Sequence, residues 1–188
     1  MKYSAIATLA MLLVVGHGTS AQAPIALLDG SSLDGWVISG DANWRASDGG
    51  VEADSGRGHL VTEGSYSDFV LTAEFWVDDV ANSGIFFRCA DRDAIGPNSC
   101  YEVNIFDQRG DPTYRTGAIT NFAAPAVQIN TGGKWNTYEI RAEGAKLVVT
   151  LNGTVTVDIE DSTYAEGPIT LQHFAGVVKF RNMQLQPL

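Results

Sequence analysis

Between Phe69 and Val77 the chain reads FVLTAEFWV, and apolar positions alternate with others at a period of two. Phe69, Leu71, Ala73, Phe75 and Val77 share one side; Thr72, Glu74 and Trp76 share the other. Successive side chains of an extended strand point to opposite faces, so the first set belongs in a core. The same rule splits Gly84–Cys89 into Ile85, Phe87 and Cys89 against Gly84, Phe86 and Arg88. It splits Tyr101–Phe106 into Tyr101, Val103 and Ile105 against Glu102, Asn104 and Phe106. In Ile169–Phe174, Ile169 and Leu171 oppose Thr170, Gln172 and Phe174. Further β-branched and aromatic runs predict strands over Trp135–Ala142, Lys146–Leu151, Thr154–Ile159 and Val177–Leu185, each bounded by turn residues. Asn152-Gly153 between two of these runs predicts a tight hairpin. No stretch after the N-terminal apolar run keeps a helical period. The pattern predicts an all-β fold, a two-sheet antiparallel β-sandwich of jelly-roll type, as one domain over residues 24–188.

The outward sets do not look like plain solvated surface. They place Glu74, Arg88, Glu102, Asn104 and Gln172 among Trp76, Phe86 and Phe174. An ordinary solvent face carries fewer large rings. Rings beside short polar groups suit a pyranose: the ring stacks on the C–H face of the sugar while amides and carboxylates bind its hydroxyls. The expectation is one concave patch on one sheet. A Glu74–Arg88 ion pair covered by the rings is the structural alternative.

Composition narrows the partners. The 188 residues carry 12 Lys+Arg against 22 Asp+Glu, a net charge of −10. Such a balance disfavours the phosphate backbone of nucleic acids and the anionic surface of membranes. Residues 1–23 read as an export signal: Lys2, an apolar core from Ala5 to Val15, then small residues with cleavage after Ala21 or Ala23. That core is too short to span a bilayer, so no membrane insertion is expected and the location is periplasmic or secreted. Cys89 and Cys100 fit an oxidising compartment, where a disulfide closing the short loop is the natural pairing; two buried thiols are the alternative. The chain has no GxSxG elbow and no phosphate-binding loop of the GxxxxGK[ST] type, and it lacks an HExxH pair. Asp91, Asp93, Asp107 and Asp111 are acids on loops that leave a divalent metal open as a cofactor, with no firm ligand set.

The segments GHLVTEGSYSDFVLTAEFWVDDVANSGIFFR, YEVNIFD, TGAIT, WNTYEIRAEGAKLVVTLNGT, GPITLQHF and VVKFRNMQL, with LLDGSSLDGW before them, occur in an order that resembles the 3-keto-disaccharide hydrolase domain family. The resemblance implies a concanavalin-like jelly roll. It also implies an enzyme that cleaves the glycosidic bond of 3-keto-glycosides or 3-keto-disaccharides, downstream of a sugar 3-dehydrogenase as pathway partner. A ketone at C3 acidifies the C2 proton, so a base removes it, the aglycone leaves from C1 and water adds back. One base and one donor or cation near the enolate oxygen suffice. Carried over, the family pattern puts Glu102 and Asp107 in the Tyr-Glu-x-x-x-x-Asp motif, Arg88 after the Asn-Ser-Gly loop and Gln172 in Leu-Gln. Glu102 is the expected base and Arg88 the enolate stabiliser, with Glu74 as the competing base. Asn104, Gln172, Asp107, Trp76, Phe86 and Phe174 are the expected substrate contacts. The sequence departs from the family at Phe174, Thr120 and Trp76, with His173 one position early. A non-catalytic, lectin-like carbohydrate-binding module is the alternative function.

Overall fold

The computed structural model describes residues 22–28 and 30–188. The expected export signal, residues 1–23, lies almost wholly outside the described residues. Among the described residues thirteen strands form two antiparallel sheets, and the helical content is one 3-10 turn, Pro112–Tyr114. The smaller sheet runs β2 (Trp36–Gly40), β5 (Gly58–Thr62), β12 (Thr170–Ala175), β7 (Asn82–Phe87), β8 (Tyr101–Ile105) in spatial order. The larger runs β11 (Thr154–Glu160), β10 (Lys146–Leu151), β9 (Trp135–Glu143), β6 (Phe69–Val77), β13 (Val178–Pro187), β4 (Gly50–Ala53), β3 (Arg45–Ser47), with β1 (Ile25–Ala26) also on β13. This is the two-sheet sandwich read from the alternation. The five N-terminal strands were not legible there, because they are short and broken by glycines rather than bounded by long apolar runs.

The core is the sum of the inward parities. Leu60, Leu171, Ile85 and Val103 of the small sheet face Leu71, Phe75, Tyr138 and Ile140 of the large one, all essentially inaccessible. Phe75 stacks on Tyr138 with ring centroids 4.8 Å apart. Burying each such ring stabilises by about 1.5–3 kcal/mol. The Tyr138 hydroxyl crosses the sandwich and donates to the Asn104 carbonyl at 2.8 Å, so its polar end is satisfied inside the core. Asn152 and Gly153 both hold positive φ, 50° and 79°, as a tight primed turn between β10 and β11 requires.

Two features prepare the site. Strand pairing sets His59, Gln172, Gly84 and Asn104 side by side across the outer face of the small sheet, with Thr170, Phe86 and Glu102 in the next row. The long connection from β8 to β9, residues 106–134, folds back along the free edge of β8. There Thr120 donates its backbone N–H to the Glu102 carbonyl at 2.9 Å, and Gly117 donates to that of Asn104 at 3.0 Å.

Candidate functional site

The outer face of the small sheet and the returning loop enclose a cleft of about 350 Å³. Its floor is Glu102 and Asn104 from β8 and Gln172 from β12; Phe174 and Asn82 extend it, and Phe106, Arg109, Tyr114, Thr120 and Asn121 come from the loop. Pro97, from the segment between the two cysteines, closes one end. The walls are cross-linked. Asn104 donates its amide to the Tyr114 carbonyl. Asn121 donates to Pro97 O at 3.1 Å and to Asn98 Oδ1 at 3.2 Å. The disulfide expected of Cys89 and Cys100 is present, and it anchors the segment carrying Pro97.

Glu102 is 7% exposed and, among the described residues, forms no ion pair. Burial pushes its carboxyl up to about 7, opposed weakly by the neighbouring Thr120 hydroxyl, which makes no well-formed hydrogen bond. An unpaired carboxylate with a pKa near neutrality is suited to accept and return a proton. Gly84 leaves it room: a Cβ there would lie 3.2 Å from Glu102 Oε1. Three of the four buried side-chain polar atoms without a partner among the described residues belong to this cleft: Asn104 Oδ1, Thr120 Oγ1 and Gln172 Oε1. A buried polar atom left unpaired is costly, so a cluster of them is the kind of place where a ligand's hydroxyls would complete the network. His59, beside Gln172, stacks edge-on against Phe86 at 5.1 Å. Burial holds its pKa down to about 4, so it is neutral at physiological pH.

The structure brings together Glu102, Asn104, Gln172 and Phe174 of the expected set, and it sends the others elsewhere. Arg88 does not meet Glu102. Its φ of 51° turns the chain out of β7, and the side chain leaves the row shared by Gly84 and Phe86. It is 1% exposed and donates to Ser67 O at 2.7 Å, to Gly144 O at 2.8 Å and to Asp68 Oδ1 at 2.8 Å. Glu74 and Trp76 lie on the outer face of the large sheet, because β6 belongs to that sheet. Glu74 accepts from Asn182 at 3.0 Å and from Arg181 at 2.7 Å, which hold its carboxyl below the usual range. The Glu74–Arg88 ion pair is likewise not formed. Phe86 keeps the outward parity, yet it is buried against Cys89, Cys100 and Ile95 rather than open to a ligand. Asp107 turns away and clamps the loop, accepting from Thr131 and Gly132 backbone N–H groups and from the Thr116 hydroxyl. His173 faces inward, with its ring nitrogens 2.9 Å from the Gly56 and Gly176 carbonyls. Among the described residues no group of three His, Cys, Asp or Glu side chains is placed to hold a metal ion.

Parity reasoning missed Asn82, Arg109, Tyr114 and Asn121 as lining residues. Three of these sit on the loop 106–134, where no alternation exists to read. Its length was the available signal: a connection of about thirty residues without regular strands is usually functional.

The disulfide fits an oxidising, extracytoplasmic compartment, and no helix among the described residues is long and apolar enough to cross a membrane.

No curated protein matches the chain. Two structures of provisionally named glycosyl hydrolases from Parabacteroides distasonis superpose with TM-scores of 0.77 and 0.76, at 23% and 18% identity. They cover 89% and 88% of this chain and 100% and 94% of theirs. A carbohydrate-binding module of Bacillus subtilis superposes with a TM-score of 0.64 at 21% identity, covering 81% of this chain and 95% of its own. At these identities the likeness establishes a shared jelly-roll architecture. The family model described as the 3-keto-alpha-glucoside-1,2-lyase-like domain matches residues 23–186. With that match running through both sheets and the cleft-forming loop, the chain belongs to the 3-keto-alpha-glucoside-1,2-lyase-like domain family.

Proposed function

We propose that the protein cleaves 3-keto-glycosides in the cleft between β8, β12 and the loop 106–134, with Glu102 as the base. The observation that carries this reading is the buried, unpaired Glu102 carboxyl titrating near 7 amid unpartnered polar atoms. The C3 ketone makes the C2 proton acidic. Glu102 takes that proton, the electron pair forms the C2–C3 double bond of an enolate, and the enolate oxygen receives a hydrogen bond from the Thr120 hydroxyl or the Gln172 amide. The C3 carbonyl then re-forms, the C1–C2 double bond forms as the C1–O bond to the aglycone breaks, and the leaving oxygen takes the proton that Glu102 carries. Water adds its oxygen to C1 while a proton returns to C2, which leaves the free 3-keto sugar. A base whose pKa lies near the working pH is the most effective for this task. Fixed hydrogen-bond donors aimed at a developing oxyanion are worth more in a buried, water-poor site than in water.

A protein of this kind works in the periplasm or outside the cell, after a separate sugar 3-dehydrogenase has made the ketone. The Cys89–Cys100 disulfide supports that location. The test is turnover of a 3-keto-glucoside by wild type and by Glu102→Gln, with solvent deuterium followed into C2. Expected are cleavage and C2 labelling by wild type and loss of both in the variant. Sugar binding without turnover in either protein would favour a lectin-like module instead, which the unpartnered amide oxygens would also serve.

A further inference from the structure

Eight arginines lie in the described chain, and six of them are engaged through their guanidinium groups. Arg45, Arg88, Arg141 and Arg181 form ion pairs. Arg92 donates to the Thr62 and Glu63 carbonyls, and Arg115 to Gln128 and the Asp107 carbonyl. Arg57 and Arg109 alone among them donate no hydrogen bond from the guanidinium and form no ion pair. Each instead lies against an aromatic ring. The Arg57 guanidinium carbon is 4.1 Å from the Phe174 centroid. That of Arg109 is 5.3 Å from Tyr114 and 5.9 Å from Phe106. Phe174, Tyr114 and Phe106 all line the Glu102 cleft, as does Arg109 itself.

One exposed arginine without a partner is ordinary. Two of them, stacked on rings of one cleft in a chain with 22 acidic residues, are a placement that needs a reason. The neighbouring carboxylates are occupied with backbone. Asp111 lies close enough to feel the Arg109 charge, yet it accepts from the Thr113 N–H at 3.0 Å. Asp41 accepts from the Arg57 backbone N–H rather than its side chain. A guanidinium laid on an aromatic face keeps its N–H edge directed outward, the geometry that grips a carboxylate with two parallel hydrogen bonds. In a protein of net charge −10, local positive charge at the rim is also what would draw in an anionic ligand.

We propose that the substrate of this cleft is an acidic saccharide, a glycoside carrying a uronic-acid carboxylate that Arg57 and Arg109 hold at the rim. This deepens the reading above and rests on it for the chemistry, while the recognition itself is separable. The uncharged donors on the floor meet the reacting sugar; the arginines meet the carboxylate.

The experiment compares a 3-keto-glucuronide with the 3-keto-glucoside of the same aglycone, using wild type and Arg57→Gln/Arg109→Gln. Expected is a preference of at least about tenfold in kcat/KM for the uronide in wild type, falling to about one in the double variant. Both positions are exposed, so the fold should persist; urea unfolding checks it. Arg57→Lys/Arg109→Lys, which keeps the charge and loses the fork, should retain part of the preference. Equal turnover of both substrates by wild type overturns the inference and leaves the proposed function standing. So does a preference unchanged in the double variant. Were neither substrate cleaved, the proposed function would fail, and calorimetry with the unoxidised glucuronide and glucoside would still decide: tighter binding of the glucuronide that the double variant loses supports the inference, and equal binding sinks it.

Discussion

The two outer faces of the sandwich carry the same kinds of residue and do opposite things with them. On the large sheet Glu74 sits near Trp76, Trp135 and Asn182, but Asn182 and Arg181 occupy both of its oxygens, and its carboxyl is held low. Lys179 and Arg181 lie over the Trp76 and Trp135 rings, 5.7 Å and 3.8 Å from their centroids. On the small sheet Glu102 forms no ion pair among the described residues, burial raises its carboxyl to about 7, and Asn104 Oδ1, Thr120 Oγ1 and Gln172 Oε1 in the same cleft stay unpaired. The first arrangement is satisfied within the protein; the second is not, which is why the proposed reaction is placed there. What separates the two carboxylates is whether the fold supplies a partner, not whether a ring lies nearby.

Removing Glu102 should break the contrast most. Glu102→Gln is expected to lower turnover of a 3-keto-glucoside by about 10²–10⁴-fold, the usual worth of a positioned base, read from kcat/KM. In wild type the same parameter should rise with pH and level off above about 7, where the carboxylate predominates. The variant should also reveal what that carboxylate costs the fold. The folded pKa, about 7, lies above the ordinary 4.5, so the folded protein keeps a proton that the unfolded chain has released. Stability therefore falls as pH rises from 4.5 to 7 and stays low above it. The total is about 3 kcal/mol, since each pKa unit is worth about 1.4 kcal/mol. Urea unfolding at pH 5 and pH 8 should show that loss in wild type and not in Glu102→Gln.

Arg88→Met tests the opposite assignment, that this buried cation is structural. It strands the Ser67 and Gly144 carbonyls and should cost about 2–4 kcal/mol in urea, with activity per folded molecule retained. A loss of turnover without loss of stability would return Arg88 to the chemistry. Opening the disulfide with Cys89→Ala/Cys100→Ala should cost about 2–3 kcal/mol and weaken sugar binding, because the loop it closes carries the Pro97 wall. The smallest effect belongs to the large sheet. Glu74→Gln should change stability by less than about 1 kcal/mol, as its pair with Arg181 is partly exposed, and should leave kcat/KM unaltered.

Parity carried the sequence reading a long way. It separated Leu71 and Phe75 from Glu74 and Trp76, as the alternating burial of β6 bears out, and Val103 in the core from Glu102 and Asn104, which are buried too but line the cleft on the other face. It stopped at the question of which outward faces are the same face. Glu74 and Glu102 are both outward, on opposite sides of the molecule.

What the residues alone determined is the sandwich itself, the Asn152-Gly153 hairpin and the outward placement of Glu102, Asn104 and Gln172, because a strand's period of two is a local property of an extended backbone. The tertiary structure decided everything that depends on sheet membership and on loops. It sent β6 and its Glu74 to the far sheet, used the positive φ of Arg88 to turn a cation into a buried brace, and laid residues 106–134 over β8 as the wall that supplies Thr120 and Arg109. Those outcomes come from pairings between residues far apart in the chain, and no local pattern encodes which partner a strand edge will find.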